Sequence, residues 1–143
     1  MRNSFDRAFE LTIGLEGRPT YDQRDPGGYT IWGLSSRYNP EINPASSLED
    51  AKKIYLERYW IPAGCDDVPF PMDICLFDSQ VNPQNDPKWN YGGNKEVINM
   101  GPENWQEYLI LRMLRYMRNS KEIYVKGHIF RVLKLYKKIK DIK

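Results

Sequence analysis

Three residues near the start of the chain combine types and spacing that suit a reaction. Glu16 closes an amphipathic stretch, Asp25 comes nine residues later before Pro26-Gly27-Gly28, and Thr30 follows five residues after that. A chain turning back at the glycine pair would bring all three to one cleft. Such a trio suits hydrolysis of a glycosidic bond, whose general acid must hold its proton near neutral pH. The C-terminal end of a helix carries partial negative charge, which disfavours an ionised Glu16. Burial beside Ile13, Leu15 or Trp32 would disfavour it further. Asp25, in a polar and solvated turn, would stay ionised, and Thr30 could help it hold a water on the far face of the sugar.

Each assignment has a competitor. Asp22 rivals Asp25, Asp25 alternatively caps the turn, and Thr30 alternatively packs in a strand. Tyr29 and Trp32 are candidates for stacking on sugar, with Tyr29 expected outside and Trp32 toward the helix. Asp78 and Asn82, one helical turn apart, are candidates to face the same cleft and contact substrate.

The elements that must position these residues follow from periodicity and breakers. Phe5, Phe9 and Ile13 recur at i+4 with Ala8 and Thr12 beside them, which predicts a first helix. Asn3 or Ser4 can cap it and Gly17 ends it. Arg18 to Ser35 loses the helical period, and Tyr29-Thr30-Ile31-Trp32 has β-propensity, so a short hairpin or three-stranded element fits. Ser46-x-x-Glu49 reads as a capping box for a helix running to about Trp60, with Leu48, Ala51, Tyr55 and Tyr59 on one side. A third helix starts near Pro69 or Pro71 and carries Ile74, Cys75, Phe77, Asp78 and Val81. Asn82 to Asn94 reads as a surface loop. Pro102 opens a long helix with Trp105, Tyr108, Leu109, Arg112 and Tyr116. After a break at Asn119-Ser120, a last helix presents Ile129, Leu133, Tyr136 and Ile139. The expected class is predominantly α-helical α+β, about five helices and a small β-element. One domain of 143 residues is expected: 1–82 catalytic, 83–101 a loop, 102–143 basic helices.

Composition narrows the chemistry. A hydrophobic share of 41% and a charged share of 28% describe a globular chain. No apolar run approaches the roughly 20 residues of a membrane span, and the N-terminus lacks the pattern of a signal peptide. One histidine, His128, and two cysteines, Cys65 and Cys75, leave no clustered metal-ligand set, so neither metal nor other cofactor is expected. His128 has no nearby Ser or Cys and reads as a packing or surface residue. Cys65 and Cys75 read as reduced thiols, with a single bridge as the alternative.

The segment Asp25-Pro26-Gly27-Gly28-Tyr29-Thr30-Ile31-Trp32-Gly33-Leu34-Ser35 resembles the Asp-Pro-Gly-Gly-x-Thr-x-Tyr-Gly-Ile-Ser stretch of glycoside hydrolase family 108, the bacterial and phage N-acetylmuramidases also known as secretion activators. In that family it follows a helix ending in Glu-Gly-Gly-Tyr. Glu49-Asp50-Ala51-Lys52-Lys53-Ile54-Tyr55, Tyr59-Trp60, Ala63-Gly64-Cys65-Asp66 and Phe77-Asp78-Ser79-Gln80-Val81-Asn82 are similar to later parts of it, as are Gly127 and Arg131-Val132. Gly17-Arg18-Pro19 and Asn82-Pro83-Gln84 depart from its Gly-Gly-Tyr and Asn-x-Gly. The resemblance implies a lysozyme-like fold and cleavage of the β-1,4 bond between N-acetylmuramic acid and N-acetylglucosamine in peptidoglycan, with Glu16, Asp25 and Thr30 in the catalytic places. One acid with a carboxylate–threonine pair favours inversion. A lytic transglycosylase is the enzymatic rival, and a degenerate homologue that binds wall or a partner without cutting is the alternative of another class.

The net charge of +2 hides an asymmetry. Residues 1–106 sum to −6 and residues 107–143, with eleven Lys/Arg and three Asp/Glu, to +8. The near-neutral total argues against a phosphate-dominated nucleic-acid binder, and no nucleic-acid partner is expected. The basic tail is either a solvated helix face or a surface steered toward anionic wall polymers or a membrane surface. The expected partner is the peptidoglycan glycan strand, met by a monomer. The chain is expected to be made in the cytoplasm and to reach the cell wall or periplasm after release through a holin or another export route.

Overall fold

The computed structural model describes residues 2–16, 20–21, 29–43, 45–82, 101–119 and 121–142. Helix α1 is Arg2–Glu16. Three short strands follow, β1 Thr20–Tyr21, β2 Tyr29–Ile31 and β3 Leu34–Ser35, in the order β1-β2-β3, both pairs antiparallel. Helix α2 is Leu48–Tyr55 and runs into a π-helical turn, Leu56–Trp60. Helix α3 is Met72–Val81. A 3-10 turn, Pro102–Asn104, leads into α4, Trp105–Asn119, and the described chain closes with α5, Glu122–Ile142. The predominantly helical α+β class read from the sequence holds. No helix among the described residues is long and apolar enough to cross a membrane.

The core forms around α3, whose residues Met72 to Ser79 are all buried. From α1, Phe5, Ala8, Phe9 and Thr12 pack onto it, as the i+4 stripe requires. Phe5, Trp60 and Phe77 meet edge-to-face with centroids 5.5–5.8 Å apart, and Tyr55 joins them against Phe77 at 6.1 Å. The π-helical turn delivers Trp60 to this cluster, where its indole donates to Asp66 Oδ1 at 2.9 Å. Antiparallel α4 and α5 contribute Trp105, Tyr108, Leu109, Tyr116, Val132, Leu135 and Ile139.

Four sequence expectations shift. Helix α1 starts at Arg2, not behind an Asn3 or Ser4 cap, and Ser4 hydrogen-bonds the buried Asp73 of α3 instead. The capping box sits one residue on: Ser47 accepts from the Asp50 amide at 3.1 Å, and the Asp50 carboxylate accepts from the Ser47 amide at 2.9 Å. Leu48 is exposed rather than aligned with buried Ala51 and Tyr55. In α5 the buried stripe is Val132, Leu135 and Ile139, and Leu133 faces outward. Cys65 and Cys75 are free and buried, so no bridge joins them.

Candidate active site

The sheet is built by its turns. Trp32 and Gly33 join β2 to β3 with φ of 54° and 78°, a two-residue connection with both central residues left-handed, as tight hairpins favour. Gly33 takes that conformation freely. Trp32 is the non-glycine residue held there among the described residues, a geometry its Cβ opposes by roughly 1–2 kcal/mol. Tyr55 of α2 holds the turn from outside, its hydroxyl donating to the Trp32 carbonyl at 2.7 Å.

Within the sheet Thr30 pairs with Thr20 on one side and Ser35 on the other, while Ile31 pairs with Leu34. Ile31 and Leu34 are buried and Thr30 and Ser35 half-buried. By strand alternation, Thr30 and Ser35 therefore share the face turned away from the core. Glu16 is the last residue of α1, and Thr20 is four residues further along the chain. Four residues span at most about 14 Å, and Thr30 sits directly opposite Thr20. The pairing thus returns Thr30 to the chain that leaves Glu16. The Glu16 and Tyr29 side chains lie outside the described residues. So do Asp25 and its rival Asp22, in the connection 22–28 between the paired Tyr21 and Tyr29.

Trp32 is half-buried and packs against the core. Its indole Nε1 is covered, with no hydrogen-bond partner among the described residues. Thr12 Oγ1, one turn before Glu16 on α1, is likewise buried and unpartnered among them.

Asp78 does not face a cleft, and the half-buried Asn82 is tied to Tyr116 of α4. Asp78 is fully buried, with Oδ2 accepting from Arg112 Nη1 at 2.6 Å and Oδ1 from Arg131 Nη2 at 2.9 Å. The Asn82 carbonyl accepts from the Tyr116 hydroxyl at 2.5 Å, and its Nδ2 donates to that hydroxyl at 3.2 Å. Arg112, itself fully buried, also donates to the Tyr116 hydroxyl through Nη2 at 3.0 Å. The reason is the position of α3. A helix surrounded on all sides turns its polar residues toward other helices, and here α4 and α5 supply the counter-charges. Burial alone would raise the Asp78 carboxyl, but Arg112 and Arg131 outweigh it and hold the group below the usual carboxylate range. His128, its ring 4.5 Å from that of Tyr116, is pushed below its ordinary value by burial and by the positive Arg112 and Arg131.

The sequence carried a signal for this cluster. Arg112 falls on the same stripe as Tyr108, Leu109 and Tyr116, and a charged residue on an apolar stripe implies a buried partner. Among the described residues no three His, Cys, Asp or Glu side chains are placed to hold a metal.

This arrangement belongs to a known class. The family described as glycosyl hydrolase 108 matches residues 9–83, from within α1 through the sheet, α2 and α3. The chain is a member of that family. Membership supports a glycoside hydrolase of the peptidoglycan-hydrolase type. No curated protein matches the chain. Among solved structures, that of SagA from Brucella abortus is similar, with a TM-score of 0.70 over 97% of this chain and 95% of that one at 19% identity. That likeness shows that the two share a fold, in keeping with the lysozyme-like α+β arrangement.

Proposed function

We propose that the chain is an N-acetylmuramidase that cleaves the β-1,4 bond between N-acetylmuramic acid and N-acetylglucosamine in peptidoglycan, with inversion at the anomeric carbon. The observation that carries this reading is the register Thr20 opposite Thr30. It returns Thr30 to the chain that leaves Glu16, within a family match over residues 9–83, a range that includes Glu16, Asp25 and Thr30.

In this reading Glu16 gives its proton to the glycosidic oxygen as the bond from that oxygen to the anomeric carbon breaks. A water held by Asp25 and Thr30 attacks the anomeric carbon from the opposite face, and Asp25 takes the proton the water loses. Thr30 suits this place because its side of the sheet is turned from the core. The half-buried Trp32 adds a wall, and Tyr29 a second aromatic surface. Asp78, fully buried, holds α3 to α4 and α5 and stays out of substrate contact, and Asn82 ties the end of α3 to Tyr116. The enzyme meets the glycan as a monomer, after release from the cytoplasm through a holin or another export route.

The test is clearing of purified peptidoglycan by the wild type and by Glu16→Gln. Removing a general acid should slow clearing by about 10²–10⁴-fold. Unchanged clearing by Glu16→Gln would refute the assignment. NMR of the first-formed anomer decides the stereochemistry, and a retained anomer would overturn inversion. An anhydro-sugar end found by mass spectrometry would identify a lytic transglycosylase instead.

A further inference from the structure

The outward side of the α4–α5 hairpin is apolar where a solvated helix pair would be polar. On α4, Ile110, Leu114 and Met117 recur at i, i+4 and i+7, a single stripe, and each is at least half exposed. On α5, Ile123 is 79% exposed and Phe130 50%, with Leu133 also exposed. The two helices meet along this side. Met117 of α4 and Val125, Ile129 and Phe130 of α5 line one groove of about 540 Å³, together with Glu122 and Lys126. Soluble monomers seldom leave a run of large aliphatic and aromatic side chains contiguous and open, and such a patch marks an interaction surface.

The same side is strongly basic. Lys126 lies over the Phe130 ring, 5.7 Å from its centroid. Lys134 stands one turn beyond Phe130 and Lys137 one turn beyond Leu133, both exposed, as are Arg118 and Lys121 at the hairpin tip. Residues 107–143 carry +8. The two arginines that α4 and α5 bury, Arg112 and Arg131, point the other way, into Asp78.

From this pattern we propose that the outward face of the α4–α5 hairpin is a docking surface for an anionic lipid bilayer. The occupant must satisfy both halves of the pattern. A soluble anionic polymer would neutralise the lysines but leave Phe130, Leu133 and the Ile110 stripe in water. A second copy would cover the apolar stripe but set two basic faces against each other. An anionic bilayer meets both needs: apolar side chains enter the boundary between headgroups and acyl chains while lysines stay at the level of the phosphates. No helix has to span the bilayer, in keeping with the absence of a spanning helix among the described residues.

The experiment is co-sedimentation of the full chain with large vesicles, either equal parts phosphatidylglycerol and phosphatidylcholine or phosphatidylcholine alone. Binding to the anionic vesicles should be at least tenfold tighter than to the neutral ones and should weaken as salt is raised from 0.1 to about 0.5 M. Reversing Lys126 and Lys137 together to Glu should weaken anionic binding by about 25-fold or more, at roughly fivefold per lysine removed. Phe130→Glu with Leu133→Glu should weaken it at least tenfold. These side chains are exposed, so circular dichroism should show the variants folded. Absence of binding to anionic vesicles, equal binding to both compositions, or wild-type binding by both variants would each overturn the proposal. So would saturable capture of an acidic amphipathic peptide at this face without vesicle binding, which would assign the face to a protein partner. The readout needs no substrate turnover, so it stands or falls apart from the muramidase reading.

Discussion

Replacing Asp78 by alanine tests the ion cluster that joins α3 to the C-terminal hairpin. Both Asp78 and Arg112 side chains are 0% exposed, and Arg131 is 12% exposed. Removing the carboxylate leaves Arg112 buried with a charge that its remaining bonds, to the Tyr116 hydroxyl and to the carbonyls of Asp78 and Asn82, cannot neutralise. Arg131 reaches solvent at its edge and loses less. Breaking one side of a buried pair destabilises by about 3–5 kcal/mol. For a chain of this size each kcal/mol shifts Tm by about 2–4 °C, so the variant should melt roughly 6–20 °C lower. Urea unfolding followed by circular dichroism and tryptophan fluorescence measures the loss. Adding Arg112→Met to Asp78→Ala should recover part of it, because an apolar pair leaves no charge stranded. The wild type should also be the more acid-sensitive of the two. A carboxyl held below its usual range stabilises the fold above about pH 4, and that contribution fades as pH falls through the folded value. A loss under about 1 kcal/mol for Asp78→Ala, or no coupling to Arg112→Met, would refute the reasoning.

Other outcomes follow from single features. His128 is held below its ordinary value, so protonating it opposes folding. Its contribution is present above about pH 6.5 and is lost as pH falls through the folded value, and His128→Gln should flatten the dependence of the urea midpoint between pH 7.5 and 5.5. Tyr55→Phe removes the hydroxyl that donates to the Trp32 carbonyl; it should lower stability by about 1–2 kcal/mol and slow peptidoglycan clearing, as read by denaturation and turbidity. Ser47→Ala removes one arm of the capping box and should lose about 1 kcal/mol in the same denaturation assay, whereas Ser46→Ala leaves the box intact. Burial pushes both cysteine thiols up, so a thiol reagent should label neither in the folded chain and both in urea.

Much of the fold was readable because its signals are local and strong. The Phe5–Phe9 spacing, the prolines before α3 and α4 and the break at Asn119-Ser120 all marked real boundaries. Errors arose where two local patterns competed. Ser46 and Ser47 both open plausible boxes, and the choice was made in the preceding loop, where Ser46 Oγ accepts from the Asn43 amide at 2.9 Å. Helix α5 carries apolar residues on more than one side, so periodicity alone could not tell which row meets the core and which meets the outside. The Asp78 error has a different origin. Spacing showed that Asp78 and Asn82 share a face, but what that face meets depends on Arg112 and Arg131, 34 and 53 residues away. In the candidate site the sequence offered Glu16, Asp25 and Thr30 as candidates and implied a chain turning back at the glycine pair. The sheet register that sets Thr30 opposite Thr20 came only with the structure.

The position of the Asp78 cluster also bears on how this chain can be divided. Asp78 lies inside the family-matched segment, which ends at residue 83, whereas Arg112 and Arg131 lie beyond it. A fragment ending at that boundary would keep every proposed catalytic residue. It would also strip α3 of the helices that cover one side and leave a carboxylate, made to be buried, without a counter-charge. The recognisable part and the self-sufficient part of this molecule are therefore different lengths. Grafts or truncations should be cut outside α5, and the hairpin's freedom to change lies on its outward face, because its inward face is held by α3.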